Sequence, residues 1–125
     1  MIKCNFDAAI FPQTRQVGYG IILRDDQGKF IAARNGFLNC HQDPLLAESM
    51  ACKEALSWLI NRGDANVVIE TDCLVLKNAV DREDHALSYF ERACKLLFNF
   101  LFNSHFAHVK RSANVIAHAL AQAII

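Results

Sequence analysis

Three carboxylates stand where an acid needs an explanation. Asp7 lies in an apolar, strand-like stretch between Phe6 and Ala8, and Asp is depleted in strands. Glu48 falls in a segment of helical period. On a wheel of ~100° per residue it sits at the centre of the face carrying Pro44, Leu45, Ala51, Cys52, Ala55 and Leu59, opposite Lys53, Glu54, Ser57 and Asn61. Asp72 closes the run Val67-Val68-Ile69-Glu70-Thr71, and residues at the carboxyl ends of parallel strands commonly line the binding crevice of α/β sheets. Each has a plain structural explanation. Asp7 could be a solvent-facing edge residue, Glu48 the partner of a buried Arg or Lys, and Asp72 an N-cap for a helix beginning at Leu74. Taken jointly they have another. Three carboxylates brought close repel one another unless a cation lies among them. Hard oxygen ligands in an open cleft suit Mg²⁺ or Mn²⁺.

The elements that must position these acids are readable from periodicity. Residues 2–10 read as a first strand. Val17 to Asp25 read as a second, with Val17, Tyr19, Ile21 and Leu23 on one face. Asp26-Gln27-Gly28 is a hairpin signal, and Lys29 to Leu38 form a third strand, so the chain opens with an antiparallel meander. The period then changes. Asp43 is placed to cap a helix, Pro44 takes its first position, and Gly63 ends it after Arg62. Asn66 to Thr71 form a fourth strand and Leu74 to about Val80 a short helix, and the polar stretch Asp81 to His85 reads as a loop. Leu87 to Phe102 read as a helix and His105 to Lys110 as a fifth strand, and Ser112 is placed to cap a last helix from Ala113. The order βββαβααβα predicts an α/β fold with a mixed five-stranded sheet and helices packed on it. A right-handed crossover would set the first and fourth strands side by side, with the helix of Glu48 over them.

Composition narrows the function classes. The chain has 125 residues, 53% of them hydrophobic, which suits a single globular domain spanning 1–125 and argues against disorder. Formal net charge is zero, which counts against strong nonspecific nucleic-acid affinity while leaving room for a local basic surface. The five cysteines are odd in number and none shows C-x-x-C spacing. This argues against a zinc site, a disulfide framework or a disulfide-linked partner, and for an intracellular location, nucleus or cytoplasm, rather than secretion. The tract Ala93 to Phe102 is broken by Lys95 and Asn99 and is too short to span a bilayer. No membrane partner is expected, and a monomer is the default.

The segments Asn5-Phe6-Asp7-Ala8-Ala9, Gly20-Ile21-Ile22-Leu23-Arg24-Asp25, Leu46-Ala47-Glu48-Ser49, Glu54-Ala55-Leu56, Glu70-Thr71-Asp72, His108-Val109-Lys110-Arg111 and Asn114-Val115-Ile116-Ala117-His118-Ala119-Leu120-Ala121 together resemble the RNase H domain. The likeness is greatest to the plant RNase H-like domains related to those of non-LTR retrotransposons. The set covers nearly the whole chain in family order. The resemblance implies a five-stranded mixed sheet flanked by helices. It also implies endonucleolytic cleavage of the RNA strand of RNA–DNA hybrids with two Mg²⁺ or Mn²⁺ ions, completed by substrate phosphate. By position, Asp7 and Asp72 would be central ligands, and Glu48 would complete the second metal's shell.

The chain departs from the family pattern in ways that bear on activity. Where the pattern has a fourth acid on the last helix, this chain has His118. On the wheel His118 shares a stripe with Asn114 and Gln122, while Ile116, Leu120 and Ala123 lie opposite and are expected in the core. His118 would be either a neutral imidazole ligand or a polar residue on a solvated face. Lys110-Arg111-Ser112-Ala113 runs directly into the last helix where cellular RNases H carry a longer His-containing loop. The basic element that grips hybrid in some members has no counterpart, the acidic stretch Asp81 to His85 taking its place. Nucleic-acid contacts fall to Lys110, Arg111 and Asn114, beside a helix N-terminus able to hold phosphate. The competing readings are a noncatalytic module that binds hybrid or RNA, and a protein-interaction domain using the Phe-rich segment Phe90 to Phe102, although core burial accounts for those aromatics more simply.

Overall fold

The computed structural model describes residues 1–81 and 87–124. Three strands, β1 (Ile2–Phe11), β2 (Gln16–Asp25) and β3 (Phe30–Leu38), are followed by helix α1 (Pro44–Arg62), strand β4 (Val67–Thr71) and helix α2 (Leu74–Asp81). Helix α3 (Tyr89–Asn99), strand β5 (His105–His108), a 3₁₀ turn (Arg111–Ala113) and helix α4 (Val115–Gln122) complete the order. The strands form one mixed sheet in the order β3-β2-β1-β4-β5. The first three pair antiparallel, whereas β1 with β4 and β4 with β5 pair parallel.

Strand β1 is central and buried on both faces. Its side chains alternate: Cys4 and Phe6 enter the main core with Ala51, Cys52, Ala55, Leu56 and Leu59 of α1, while Asn5 and Asp7 face α4. Helix α1 has sharp ends. Asp43 accepts from Leu46 N–H at 3.1 Å, and Gly63 adopts φ 78° with its N–H on the α1 carbonyls. That left-handed cap is cheap only for glycine.

Helix α4 docks differently. A Cβ at Gly20 would lie 2.3 Å from the Ala117 carbonyl oxygen and 2.5 Å from the Ala121 nitrogen, so helix backbone rests on strand backbone. The residues that fit this recess are Ala117 and Ala121, both fully buried. Ile116, expected in the core, is 46% exposed, and Ala123 is also exposed. The bare surface of β2 at Gly20 is covered by helix backbone, and at Gly18 it takes the Ile124 side chain as well as the Ala121 carbonyl.

Four boundaries in the last third of the chain differ from the sequence expectation. Helix α3 starts at Tyr89 rather than Leu87, because Ser88 and Glu91 form a reciprocal capping box; it ends at Asn99, short of Phe102. Strand β5 ends at His108 rather than Lys110, and α4 starts at Val115 rather than Ala113. Ser112 is not its cap: it lies inside the 3₁₀ turn, and Asn114 occupies the cap position without a side-chain capping bond. Core burial does not account for all the aromatics either, since Phe100 is 76% and Phe102 80% exposed. Of the expected loop Asp81 to His85, Asp81 closes α2 and the rest lies outside the described residues.

The close approach at Gly20 gives a direct test. Gly20→Ala places a methyl against main-chain atoms that cannot rotate away, so overpacking is expected to destabilise the fold by about 1–3 kcal/mol. Denaturant unfolding reads the loss. The NMR signals of α4 residues are expected to shift more than those of α1.

Candidate metal centre

The β1–β4 register sets two of the acids. Asn5 pairs with Glu70 at the last parallel position. Two residues further along each strand, on the same face as that pair, stand Asp7 and Asp72. Strand β4 has by then left the sheet: the Thr71 hydroxyl accepts from Cys73 N–H at 3.0 Å and starts the turn into α2. The third acid comes from α1. Glu48 sits in the middle of the buried stripe Ala47, Ala51, Cys52 and Ala55, in the second turn, where the stripe opens on the cleft instead of the core. Ligand atoms of Asp7, Glu48 and Asp72 all lie within 4.8 Å of one another.

Glu48 is held but incompletely satisfied. Its Oε1 accepts from Ala8 N–H at 3.2 Å, while Oε2 is buried with no hydrogen-bond partner among the described residues. Burial, then the adjoining Asp7 carboxyl, push Glu48 well above the usual carboxylate range; Asp72 adds to the shift and the Ala8 N–H opposes it. Partial burial and then Asp7 also raise Asp72, against the opposing pull of Asn114, Arg111 and His118. An unpaired buried carboxylate oxygen amid two further acids is an environment that a divalent cation satisfies. The donor set, carboxylate oxygens facing an open cleft, fits Mg²⁺ or Mn²⁺.

His118 projects from α4 into the same cleft, and its Nδ1 lies 2.7 Å from Asp7 Oδ2. It therefore neither points idly to solvent nor joins the group of three; it is the hydrogen-bond partner of a member of that group. Asn114 is 1% exposed. Its amide donates to Phe6 O at 2.9 Å and its Oδ1 accepts from Asn5 Nδ2 at 3.2 Å. It meets the site from inside, tying the start of α4 to β1, rather than from the surface. Arg111 lines the cleft, a cavity of about 280 Å³ shared with Asp7, Glu48, Asp72, His118 and Gln122. Lys110 is exposed next to it and is not part of the lining. Sequence reasoning missed the role of Asn5. A second buried amide two residues before Asp7 on the same strand face was the available signal.

Comparison with known proteins decides the family. A family model described as "Reverse transcriptase-like" matches residues 5–124. The chain belongs to the reverse transcriptase-like family. Similar solved structures include RNase H1 from the halophilic archaeon Halobacterium salinarum, with TM-score 0.83 and 20% identity over 97% of this chain and 94% of that one. They also include LC11-RNase H1, isolated from compost and solved with an RNA/DNA hybrid, with TM-score 0.81 and 18% identity over 100% and 96% of the two chains. Prototype foamy virus protease-reverse transcriptase matches with TM-score 0.70 and 15% identity over 97% of this chain and 20% of that one. No curated protein matches the sequence. This member of the reverse transcriptase-like family is thus an RNase H-like domain by fold, with an acidic cluster able to hold a metal. All five cysteines are free, and no described helix is long and apolar enough to cross a membrane.

The raised carboxyl of Glu48 fixes a pH dependence. Because the folded form holds its proton more tightly than the unfolded chain, this group's stabilisation is complete below the usual carboxylate range and is lost as pH rises toward the shifted value. Without metal, the protein is expected to melt at higher temperature at pH 5 than at pH 8. At pH 8 Glu48→Gln is expected to recover on the order of 1 kcal/mol. Mg²⁺ or Mn²⁺ is expected to raise the wild-type melting temperature more at pH 8 than at pH 5, since binding displaces protons. Calorimetry at the two pH values checks all three.

Proposed function

We propose that this domain is a metal-dependent nuclease that cleaves the RNA strand of RNA–DNA hybrids endonucleolytically, with two Mg²⁺ or Mn²⁺ ions. The observation that carries the reading is the convergence of Asp7, Glu48 and Asp72 within 4.8 Å around a buried, unpartnered carboxylate oxygen. A pure binding module has no use for that arrangement. The fold shared with an RNase H1 solved on an RNA/DNA hybrid points to the substrate class. The resemblance of its motifs to plant domains related to those of non-LTR retrotransposons supports assigning the chain to that branch.

Bound ions would activate water and neutralise charge at the scissile phosphate. The chain's own residues do the positioning. Asp7 presents its carboxylate from the interior of β1 and Asp72 from just past the end of β4, and the Ala8 N–H holds one oxygen of Glu48. Asn114 locks α4 to β1, and Arg111 at the rim offers a guanidinium to substrate phosphate. His118 holds Asp7 through Nδ1. With a rotation of its ring it would become a fourth, uncharged ligand, weaker for a hard cation than the acid of the family pattern. The second reading, a module that binds hybrid or RNA with little chemistry, draws on that same imidazole.

Labelled hybrid, double-stranded RNA and double-stranded DNA, each incubated in Mg²⁺ and in Mn²⁺, separate the readings. Hybrid cleavage abolished by Asp7→Asn is the expected result; salt-sensitive binding without cleavage in either metal would leave the binding module. His118→Asp is expected to raise Mg²⁺-supported cleavage at least tenfold and Mn²⁺-supported cleavage less. Equal rates in both metals, unchanged by the substitution, would show that His118 does not limit the reaction.

A further inference from the structure

A groove of about 470 Å³ opens on the same face of the sheet as Asp7, between the strands and the turn that leads into α4. Lys3 and Arg24 form its floor, with Asn5 and Glu70 beside them and Ser112 and Val115 on its wall. Lys3 and Arg24 are directly opposite each other in the β1–β2 register, a like-charge cross-strand pair of the kind that destabilises a sheet. Arg24 Nε is buried and has no hydrogen-bond partner among the described residues. The one carboxylate in the groove, Glu70, accepts from Asn5 Nδ2 at 3.0 Å and makes no ion pair with either cation among the described contacts. Two cations against one carboxylate leave the groove net positive in a chain of zero formal net charge.

Buried donors without partners are uncommon in folded proteins, and an anion would complete this one with charge-assisted hydrogen bonds. Position says which anion. Lys3, Asn5 and Asp7 are i, i+2 and i+4 on one face of β1, so the groove and the acidic cluster are ~13 Å apart along a single strand. A nucleic-acid strand advances ~3.4 Å per charge, so that distance spans a few nucleotides. The Asn5–Asn114 hydrogen bond is the partition between the two sites.

We propose that this groove is a second phosphate site, which takes a backbone phosphate of the strand whose scissile phosphate lies at the metal centre. The inference rests on the nuclease reading above for its ligand, while the site itself is built by Lys3 and Arg24. It would anchor the substrate a few nucleotides from the cut and supply the affinity that bulk charge does not.

Two measurements test it. In the first, fluorescence anisotropy follows labelled hybrid in Ca²⁺, at several salt concentrations, for the wild type, the Lys3→Gln/Arg24→Gln double variant, and Lys53→Gln on α1 across the sheet. The double variant is expected to weaken binding about tenfold and to lower the salt slope by about one, with Lys53→Gln unchanged. Hybrid affinity and slope equal to wild type in the double variant would overturn the proposal. Should Arg24→Gln fail to fold, Lys3→Gln alone is expected to give about a threefold loss, and no loss overturns the proposal. In the second, metal-free wild type is titrated with inorganic phosphate and followed by amide NMR. Shifts clustering at Lys3, Arg24 and Ser112, and absent in the variant, are expected. If wild type binds no hybrid at all, this titration decides alone: clustered shifts uphold the phosphate site while the hybrid-nuclease reading fails, and their absence removes both.

Discussion

Parallel pairing of β1 with β4 is the constraint on which the rest of this structure depends. Two strands from distant parts of the chain run side by side, and their pairing stops at Asn5 and Glu70 while β1 continues to Phe11. The acids that follow that pairing on each strand are therefore forced together. Neither Asp7 nor Asp72 is unusual by itself. The register that puts Asn5 against Glu70 leaves no freedom to separate them, and α1, packed across the same strands, adds Glu48. The surrounding fold supplies the apolar burial that makes this concentration of charge tolerable.

The same geometry sets the electrostatic character of the cleft. Three acids meet where, among the described residues, one backbone N–H, that of Ala8, is hydrogen-bonded to the Glu48 carboxylate. His118 and Arg111 sit at the margin and offset part of the repulsion. The cluster is thus a local conflict that a cation would relieve, and it faces an open cleft. Local frustration of this kind is common at functional sites, where consistency between sequence and fold is given up for chemistry.

Much of this was legible in the sequence because the signals were chemical as well as periodic. Pro44 and Gly63 mark the two ends of α1 by backbone geometry, and the β-branched run before Asp72 marks β4. Glu48 stood out because a helical face of alanines and leucines has no ordinary place for a carboxylate. The C-terminal third was harder. Ser112 has the composition of a cap, yet the chain makes a 3₁₀ turn there and Asn114 turns its side chain inward to Phe6 O. The inward face of α4 was misplaced because the wheel ranks residues by hydrophobicity, whereas the recess at Gly20 selects by size. The Ser88/Glu91 capping box is present in the sequence, and it outweighs the apolar Leu87 in setting the start of α3. The Lys3–Arg24 juxtaposition depends on strand register, and no single-strand pattern contains it.

The main-chain contact between α4 and β2 has a consequence for how such a domain can change over time. Because the helix is seated by alanines against bare strand backbone, its height and tilt over the sheet do not depend on the side chains facing the cleft. Position 118 meets the scaffold through its hydrogen bond to Asp7 rather than through core packing. An acid, an imidazole or an amide can be exchanged there without repacking the interior, so the side chain beside Asp7 is open to selection at little structural cost. A domain built this way can change the character of its acidic cleft through a single codon.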